Sequence, residues 1–133
     1  MTSYMTSEMR VVLDTDVVVA AVLSERGASR RLLTQVVDGG LLALISVSLM
    51  LEYEAVLKRP EHLHAAGLTI GDVEIILDQL AASMTQVDLF FLWRPLLRDG
   101  ADDMVLETAV NGSADIIVTF NTRDFGDVPG RFG

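Results

Sequence analysis

Acidic side chains directly follow short apolar segments at several places in this sequence. The first is Asp14, which comes after the apolar run at 11–13 and before Thr15, Asp16 and a second apolar run. This pattern predicts a buried strand that ends at Asp14 and is followed at once by a helix. Ligands of open parallel sheets bind at the carboxyl ends of strands, so Asp14 is a candidate for chemistry. Alternatively, Asp14 or Asp16 simply caps the helix that we expect to begin near Val17.

A second candidate is Glu52, in a helix that we expect to run from an N-cap at Ser48 to about Lys58. Glu54 has Lys58 four residues on, which is the favourable order for a surface ion pair. Glu52 instead lies on an apolar face of the same helix, where a carboxylate needs a partner. That partner is either a cation shared with Asp14, or a buried arginine or backbone donor.

Two more acidic positions lie in the second half of the chain. Asp103 falls in a helix predicted to open at 99–103 and to close at 111–112, and it shares a face with Glu107. Two acids four positions apart repel each other unless a positive charge lies beside them. The predicted strand at 116–120 follows, and it ends in the polar run at 121–124. Polar oxygens therefore again stand at the carboxyl end of a strand.

Composition limits the kind of protein. The chain has 133 residues, 50% of them hydrophobic, which is enough for one domain with its own core. It has no cysteine, which excludes disulfides and thiolate metal sites. His62 and His64 lie in a predicted polar connector without a third ligand nearby, so we interpret them as surface residues.

Charge is distributed unevenly along the chain. The net charge is −9 at pH 7; residues 1–66 carry six basic and eight acidic side chains, and residues 67–133 carry four and eleven. A polyanion would therefore approach through the first half, where Arg30 and Arg31 are the predicted RNA contacts. An acidic protein lacks the continuous basic surface of a general nucleic-acid binder.

The N-terminal segment and one central aromatic segment give further predictions. Residues 1–9 lack the basic-then-apolar order of a signal peptide, so we expect them to form a flexible tail. The domain should then span residues 10–133. We expect no membrane contact and a cytoplasmic location. The aromatic run at 90–93 predicts a surface for a homodimer or another partner.

Four segments, in this order, resemble PIN-domain nucleases, particularly the branch of toxins from toxin-antitoxin pairs: LDTDVVVAAVL, ISVSLMLEYEAVLKRP, DGADDMVLETA and ADIIVTFNTRDF. The likeness runs from about Arg10 to Phe125. It implies an α/β fold in which a parallel β-sheet is flanked by helices on both faces. Similar proteins continue beyond the point where this chain stops, so we expect the last strand and helix of the family to be missing or shortened.

The resemblance also implies a site and an activity. The implied activity is Mg²⁺- or Mn²⁺-dependent hydrolysis of single-stranded RNA by an endoribonuclease, with a cognate antitoxin as partner. Asp14, Glu52 and Asp103 would be metal ligands and would be catalytic together with Asp124. Asp16, Asn121 and Thr119 would support them. Asp16 stands where the family usually has asparagine, which adds a negative charge beside the pocket.

Two other functions fit parts of the pattern. Asp14-Thr15-Asp16 after an apolar strand also resembles haloacid-dehalogenase-type phosphatases, in which the first acid is a nucleophile. The acidic pair at 102–103 precedes the threonine of the later strand, whereas that family needs the reverse order. The third interpretation is a PIN-like module that binds a partner without catalysis.

Overall fold

The structure is a computed structural model, and it describes residues 9–89 and 100–120, without the side chains of residues 100–103. This part of the chain forms four strands and six helices. The strands are β1 (Arg10–Leu13), β2 (Leu42–Ile45), β3 (Thr85–Gln86) and β4 (Ile116–Val118). The helices are α1 (Thr15–Leu23), α2 (Ala28–Val37), α3 (Val47–Leu57), α4 (Pro60–Ala66), α5 (Ile70–Ser83) and α6 (Gly100–Asn111).

The four strands form one parallel sheet in the order β3-β2-β1-β4. Val11 is in register with Ala43 on one side and with Ile116 on the other, and Leu13 pairs with Val118. The last three residues of β1 and of β2 are buried, which explains why both strands are nearly continuous apolar runs in the sequence. The predicted parallel sheet flanked by helices is confirmed.

The strand order contains a reversal beside β1. From β1 the chain passes through α1 and α2 to β2, and through α3, α4 and α5 to β3, always moving toward the same edge of the sheet. After α6 it returns to the other side of β1 and forms β4. In open α/β sheets a crevice forms at such a switch point, outside the carboxyl ends of the strands. The fold therefore locates a crevice where β1 and β4 end.

The core lies between the sheet and the helices. Its fully buried side chains come from both strands and helices, and the largest include Leu13, Leu44, Leu49, Tyr53, Leu57, Leu80 and Leu106. α6 places Leu106 and Ala109 against this core, so the second described segment is packed into the same unit as the first.

Two boundaries around α3 differ from the sequence prediction. The N-cap is Ser46, whose hydroxyl accepts from the backbone N–H of Leu49 at 3.2 Å, so the assignment of the cap to Ser48 was wrong. Pro60 begins α4 at a position where its missing N–H costs nothing, so the predicted polar connector is a helix. His62, half-buried, connects this helix to α3 through a 2.7 Å hydrogen bond between its Nδ1 and the carbonyl of Val56.

α5 begins with a capping box. Thr69 accepts from the backbone of Asp72, and the Asp72 side chain accepts from the backbone of Thr69. The aromatic run at 90–93 and residues 1–8 lie outside the described residues. None of the helices in the described ranges is long and apolar enough to cross a membrane.

Candidate functional site

Asp14 lies where β1 and its neighbour β4 end. Its backbone N–H donates to the carbonyl of Val118 at 2.9 Å, which continues the pairing of the two strands. One carboxylate oxygen accepts from the backbone N–H of Thr15 at 2.7 Å, and the other accepts from the hydroxyl of Thr119 at 2.5 Å. The residue is only 5% exposed. The carboxylate is thus held from α1 on one side and from the end of β4 on the other.

Asp14 is also the N-cap of α1, with extended backbone angles before the first helical residue. Asp14 is therefore the helix cap that we considered as an alternative to a role in chemistry. Asp16 is not the cap, because it lies inside the first turn. The N-terminus of a helix carries partial positive charge, so a carboxylate is stabilised there. Capping and a role in chemistry are compatible, because the contact with Thr119 comes from a strand and has no part in the cap.

Asp16 is the second acid at this edge. One of its oxygens accepts from the backbone N–H of Phe120 at 3.3 Å. The other is buried and has no hydrogen-bond partner within the part of the chain that the structure describes. Burial, and after it the negative charge of Asp14, raise the pKa of Asp16, although backbone N–H groups of Phe120 and Val17 oppose the shift. A buried carboxylate oxygen without a described hydrogen bond fits a cation.

α3 carries Glu52, the second predicted metal ligand. Glu52 is half-buried, and its neighbour Tyr53 is fully buried and donates its hydroxyl to the carbonyl of Leu13 at 2.5 Å. Leu13 immediately precedes Asp14, so this bond docks α3 on the carboxyl end of β1. Burial, and then the negative charge of Asp14, raise the pKa of Tyr53.

Glu54 behaves as the sequence predicts. Its carboxylate forms an ion pair with Lys58 at 2.7 Å, and Lys58 also contacts Glu74 at 3.1 Å. The hydrogen bonds from Lys58 to Glu54 and Glu74 raise the pKa of the ammonium group. The two glutamates of this helix therefore differ, since Glu54 belongs to a surface ion pair.

α6 is joined to the start of α3 by a buried pair of hydroxyl groups. The Thr108 and Ser46 side-chain oxygens lie 2.7 Å apart, and both residues are buried. The Thr108 hydroxyl also donates to the carbonyl of Met104 at 2.8 Å, so the Ser46 hydroxyl donates to Thr108. Asp103 lies in the first turn of this helix, and its side chain is outside the description. Glu107, one turn later, is completely buried.

The structure describes only some of the remaining predicted site residues. Thr119 contacts Asp14 as described above, whereas Asn121 and Asp124 lie outside the described residues. The described side chains contain no group of three His, Cys, Asp or Glu residues that could hold a metal ion. Of the four acids predicted to be catalytic, Asp14 and Glu52 are thus the two whose side chains can be placed.

The predicted RNA contacts differ from each other. The guanidinium group of Arg30 donates to the carbonyls of Ala21 and Val22, at 2.6 and 3.3 Å, and so caps the last turn of α1. Arg31 is exposed. Arg30 therefore has a structural role that its sequence context did not indicate.

Several buried polar residues escaped the sequence analysis. Tyr53, Thr108 and Ser46 were not singled out as members of the site, and Glu107 was mentioned only as a neighbour of Asp103. One signal was available, since Ser46 directly follows the apolar run of β2, where an N-cap is expected. Thr108 gave no comparable signal, because its partner is 62 positions away.

The comparison with known families agrees with this geometry. A sequence model of the PIN domain matches residues 10–123, and the chain belongs to the PIN-domain family. PIN domains are generally nucleases, which are hydrolases, so this fold is of the nuclease type. The match favours the PIN resemblance over the phosphatase alternative. Neither the curated proteins nor the solved structures gave a significant match to the chain.

Proposed function

We propose that the protein is a metal-dependent endoribonuclease that hydrolyses phosphodiester bonds of single-stranded RNA. The main support is the Asp14 carboxylate, which is buried at the switch point of the sheet and held by both Thr15 and Thr119. A carboxylate fixed in a crevice is suited to chemistry, and the family is one of nucleases.

The donor atoms at this edge fit Mg²⁺ or Mn²⁺. Such ions prefer oxygen ligands, and the described side chains here offer carboxylate and hydroxyl oxygens. A buried oxygen of Asp16 without a described hydrogen-bond partner supports the same reading. Asp14, Glu52 and Asp103 would hold the ion. When bound, it would activate a water molecule and offset negative charge on the phosphate.

The residues of the chain would prepare this chemistry in two ways. The hydrogen bonds from Thr15 and Thr119 fix the direction of the Asp14 carboxylate, so little reorganisation is needed when substrate binds. The N-terminus of α1 stabilises the ionised form of the same group. Asp124 is proposed as a fourth catalytic residue, and Asn121 and Asp16 as supporting residues, on the family resemblance.

The test is the Asp14→Asn variant. Asparagine caps a helix about as well as aspartate, so the fold should persist. We expect cleavage of single-stranded RNA in Mg²⁺ or Mn²⁺ to fall by at least about 100-fold, in line with the loss of a preorganised charged group. Asp38→Asn, at the exposed end of α2, is the matched control and should retain activity. Cleavage that survives EDTA, or that is retained by Asp14→Asn, would refute the proposal.

We further propose that the protein is the toxin of a toxin-antitoxin pair, that it acts in the cytoplasm and that it forms a homodimer. The toxin role and the antitoxin rest on the family resemblance, the location on the absence of cysteine, and the dimer on the aromatic run at 90–93. Growth arrest on expression of the native chain, absent for Asp14→Asn, would support the toxin role. Normal growth would contradict it, and sedimentation of a monomer would contradict the dimer.

A further inference from the structure

Phe120 is an exposed aromatic residue beside the candidate site. Within the described residues, aromatic side chains occur at Tyr53 and Phe120. Tyr53 is fully buried, but Phe120 is 66% exposed, more than any other large hydrophobic residue of this part of the chain. Its ring contributes little to the core, so the requirements of folding do not account for a phenylalanine here.

The backbone of Phe120 is attached to the acidic edge. The preceding residue, Thr119, donates its hydroxyl to Asp14, and the N–H of Phe120 itself donates to Asp16 at 3.3 Å. Consecutive Cα atoms are about 3.8 Å apart, so the ring begins within one residue of the contact with Asp14. Phe120 thus combines a backbone fixed at the site with a side chain that faces solvent.

An aromatic ring at the edge of a phosphodiester site has a natural ligand. Single-stranded nucleic acids expose unstacked bases, and aromatic side chains bind them by stacking, whatever the base. The other strongly exposed apolar residues of the described chain, such as Ile75 and Leu51, are aliphatic and lack a π-face. We propose that Phe120 is a stacking site for a nucleobase that flanks the phosphate bound at Asp14; this rests on the proposed function, because it requires RNA at that edge.

The negative net charge of the protein makes stacking on Phe120 important for RNA affinity. With a net charge of −9, the chain has little electrostatic attraction for a polyanion. Stacking on a neutral ring releases no counterions from phosphate, so it adds affinity that depends little on salt. Loss of Phe120 should therefore lower RNA affinity while leaving the salt dependence of binding unchanged.

The experiment is a double-mutant cycle in which a protein variant is combined with a modified RNA. Binding of a labelled single-stranded RNA of about ten nucleotides is measured by fluorescence anisotropy in EDTA, where hydrolysis is not expected. An abasic site is then introduced at each position in turn. For the native protein, we expect one position at which the abasic site weakens binding by about 5- to 100-fold. For Phe120→Ala, RNA affinity should fall by a similar factor, and the abasic site at that position should have no further effect.

Two kinds of variant separate stacking from nonspecific effects. Phe120→Tyr should retain both the affinity and the sensitivity to the abasic site, whereas Phe120→Leu should behave like Phe120→Ala because it is apolar without a π-face. Ile75→Ala, which changes a side chain that is 62% exposed on α5, is the control and should bind RNA like the native protein. Both positions are exposed, so all four variants should fold.

The outcomes distinguish this proposal from the proposed function. Metal-dependent cleavage together with RNA binding that is indifferent to Phe120→Ala would overturn the stacking site and leave the nuclease intact. Base-dependent binding through Phe120 without any cleavage would overturn the nuclease and support the stacking site. RNA that neither binds the native protein in EDTA nor is cleaved by it in Mg²⁺ or Mn²⁺ would overturn both.

Discussion

Replacement of Tyr53 by phenylalanine tests how α3 is docked on the end of β1. The change keeps the ring in the core and removes the hydroxyl that donates to the carbonyl of Leu13 at 2.5 Å. Both residues are buried, with Tyr53 at 0% and Leu13 at 1% exposure, so water cannot replace the lost donor. Such a hydrogen bond contributes about 0.5–1.5 kcal/mol, and a buried acceptor left without it costs about 1–3 kcal/mol. We expect the free energy of unfolding to fall by about 1–3 kcal/mol, which lowers Tm by about 3–10 °C.

The same variant has a second signature at alkaline pH. Burial, and then the charge of Asp14, raise the pKa of Tyr53, so the folded protein keeps the phenolic proton that the unfolded chain loses near about pH 10. A group whose pKa is raised on folding contributes its stability fully below the unfolded pKa and loses it as pH rises further. Above about pH 10, the native protein should therefore lose up to about 1.4 kcal/mol more per pH unit than Tyr53→Phe.

The assay is urea unfolding followed by far-UV circular dichroism, at neutral pH and on either side of about pH 10. Tyr4→Phe is the matched control, because it removes the other tyrosine of the chain from the segment predicted to be a flexible tail. If Tyr53→Phe is as stable as the native protein at neutral pH and loses stability in parallel with it at alkaline pH, the hydroxyl of Tyr53 does not dock α3 on β1.

Three further substitutions are informative. A Cβ at Gly112 would approach neighbouring leucine and valine side chains to 2.7 and 2.9 Å, so Gly112→Ala should cost about 1–3 kcal/mol in urea unfolding; unchanged stability would mean that those side chains can move. Asp16→Asn should raise Tm at neutral pH, because the pKa of Asp16 is raised and its ionised form is disfavoured on folding; the difference should shrink as pH falls toward about 4 and vanish below it, and a difference that grows instead would contradict the shift. Glu52→Gln should abolish metal-dependent cleavage and leave the metal-free protein as stable or more stable, whereas Glu54→Gln should cleave normally; a destabilised Glu52→Gln that still cleaves would make Glu52 a structural residue.

Much of the fold could be predicted because its signals are local. β1 and β2 are continuous apolar runs, as expected for strands covered on both faces. The capping box of Thr69 and Asp72 marks the start of α5 within four residues. The ion pair of Glu54 with Lys58 follows from the spacing of one helical turn.

Two assignments were wrong at positions where the local sequence allows two interpretations. The residues after Pro60 were interpreted as a polar connector, but the fixed φ and missing N–H of proline also suit the first position of a helix, and α4 begins there. Ser46 and Ser48 are both acceptable N-caps by residue type. The choice between them is made by Thr108, which bonds to Ser46 across 62 positions of sequence and is invisible to local reasoning.

The candidate site depends on contacts of this long-range kind. The hydroxyl of Thr119 reaches Asp14 across 105 positions, and nothing in the spacing of the sequence predicts that bond. Family resemblance supplied the order of the acidic residues and named Thr119 as a supporting residue, but it did not indicate that the hydroxyl groups of Thr119 and Tyr53 would orient the site. Those groups become evident only from the packing of β4 and α3 against the end of β1.

Neutral hydroxyl groups join each element of the site to its neighbour. Thr119 connects the end of β4 to Asp14, Tyr53 connects α3 to the residue before Asp14, and Thr108 connects α6 to the N-cap of α3 at Ser46. A buried hydroxyl donates one directional bond without adding charge, so it can fix an element beside a carboxylate without neutralising it. A buried arginine would fix the same element but would offset the charge that a cation requires. The described hydroxyl groups thus position the acidic edge through the core without adding charge, and part of the precision of the site lies in residues other than the acids.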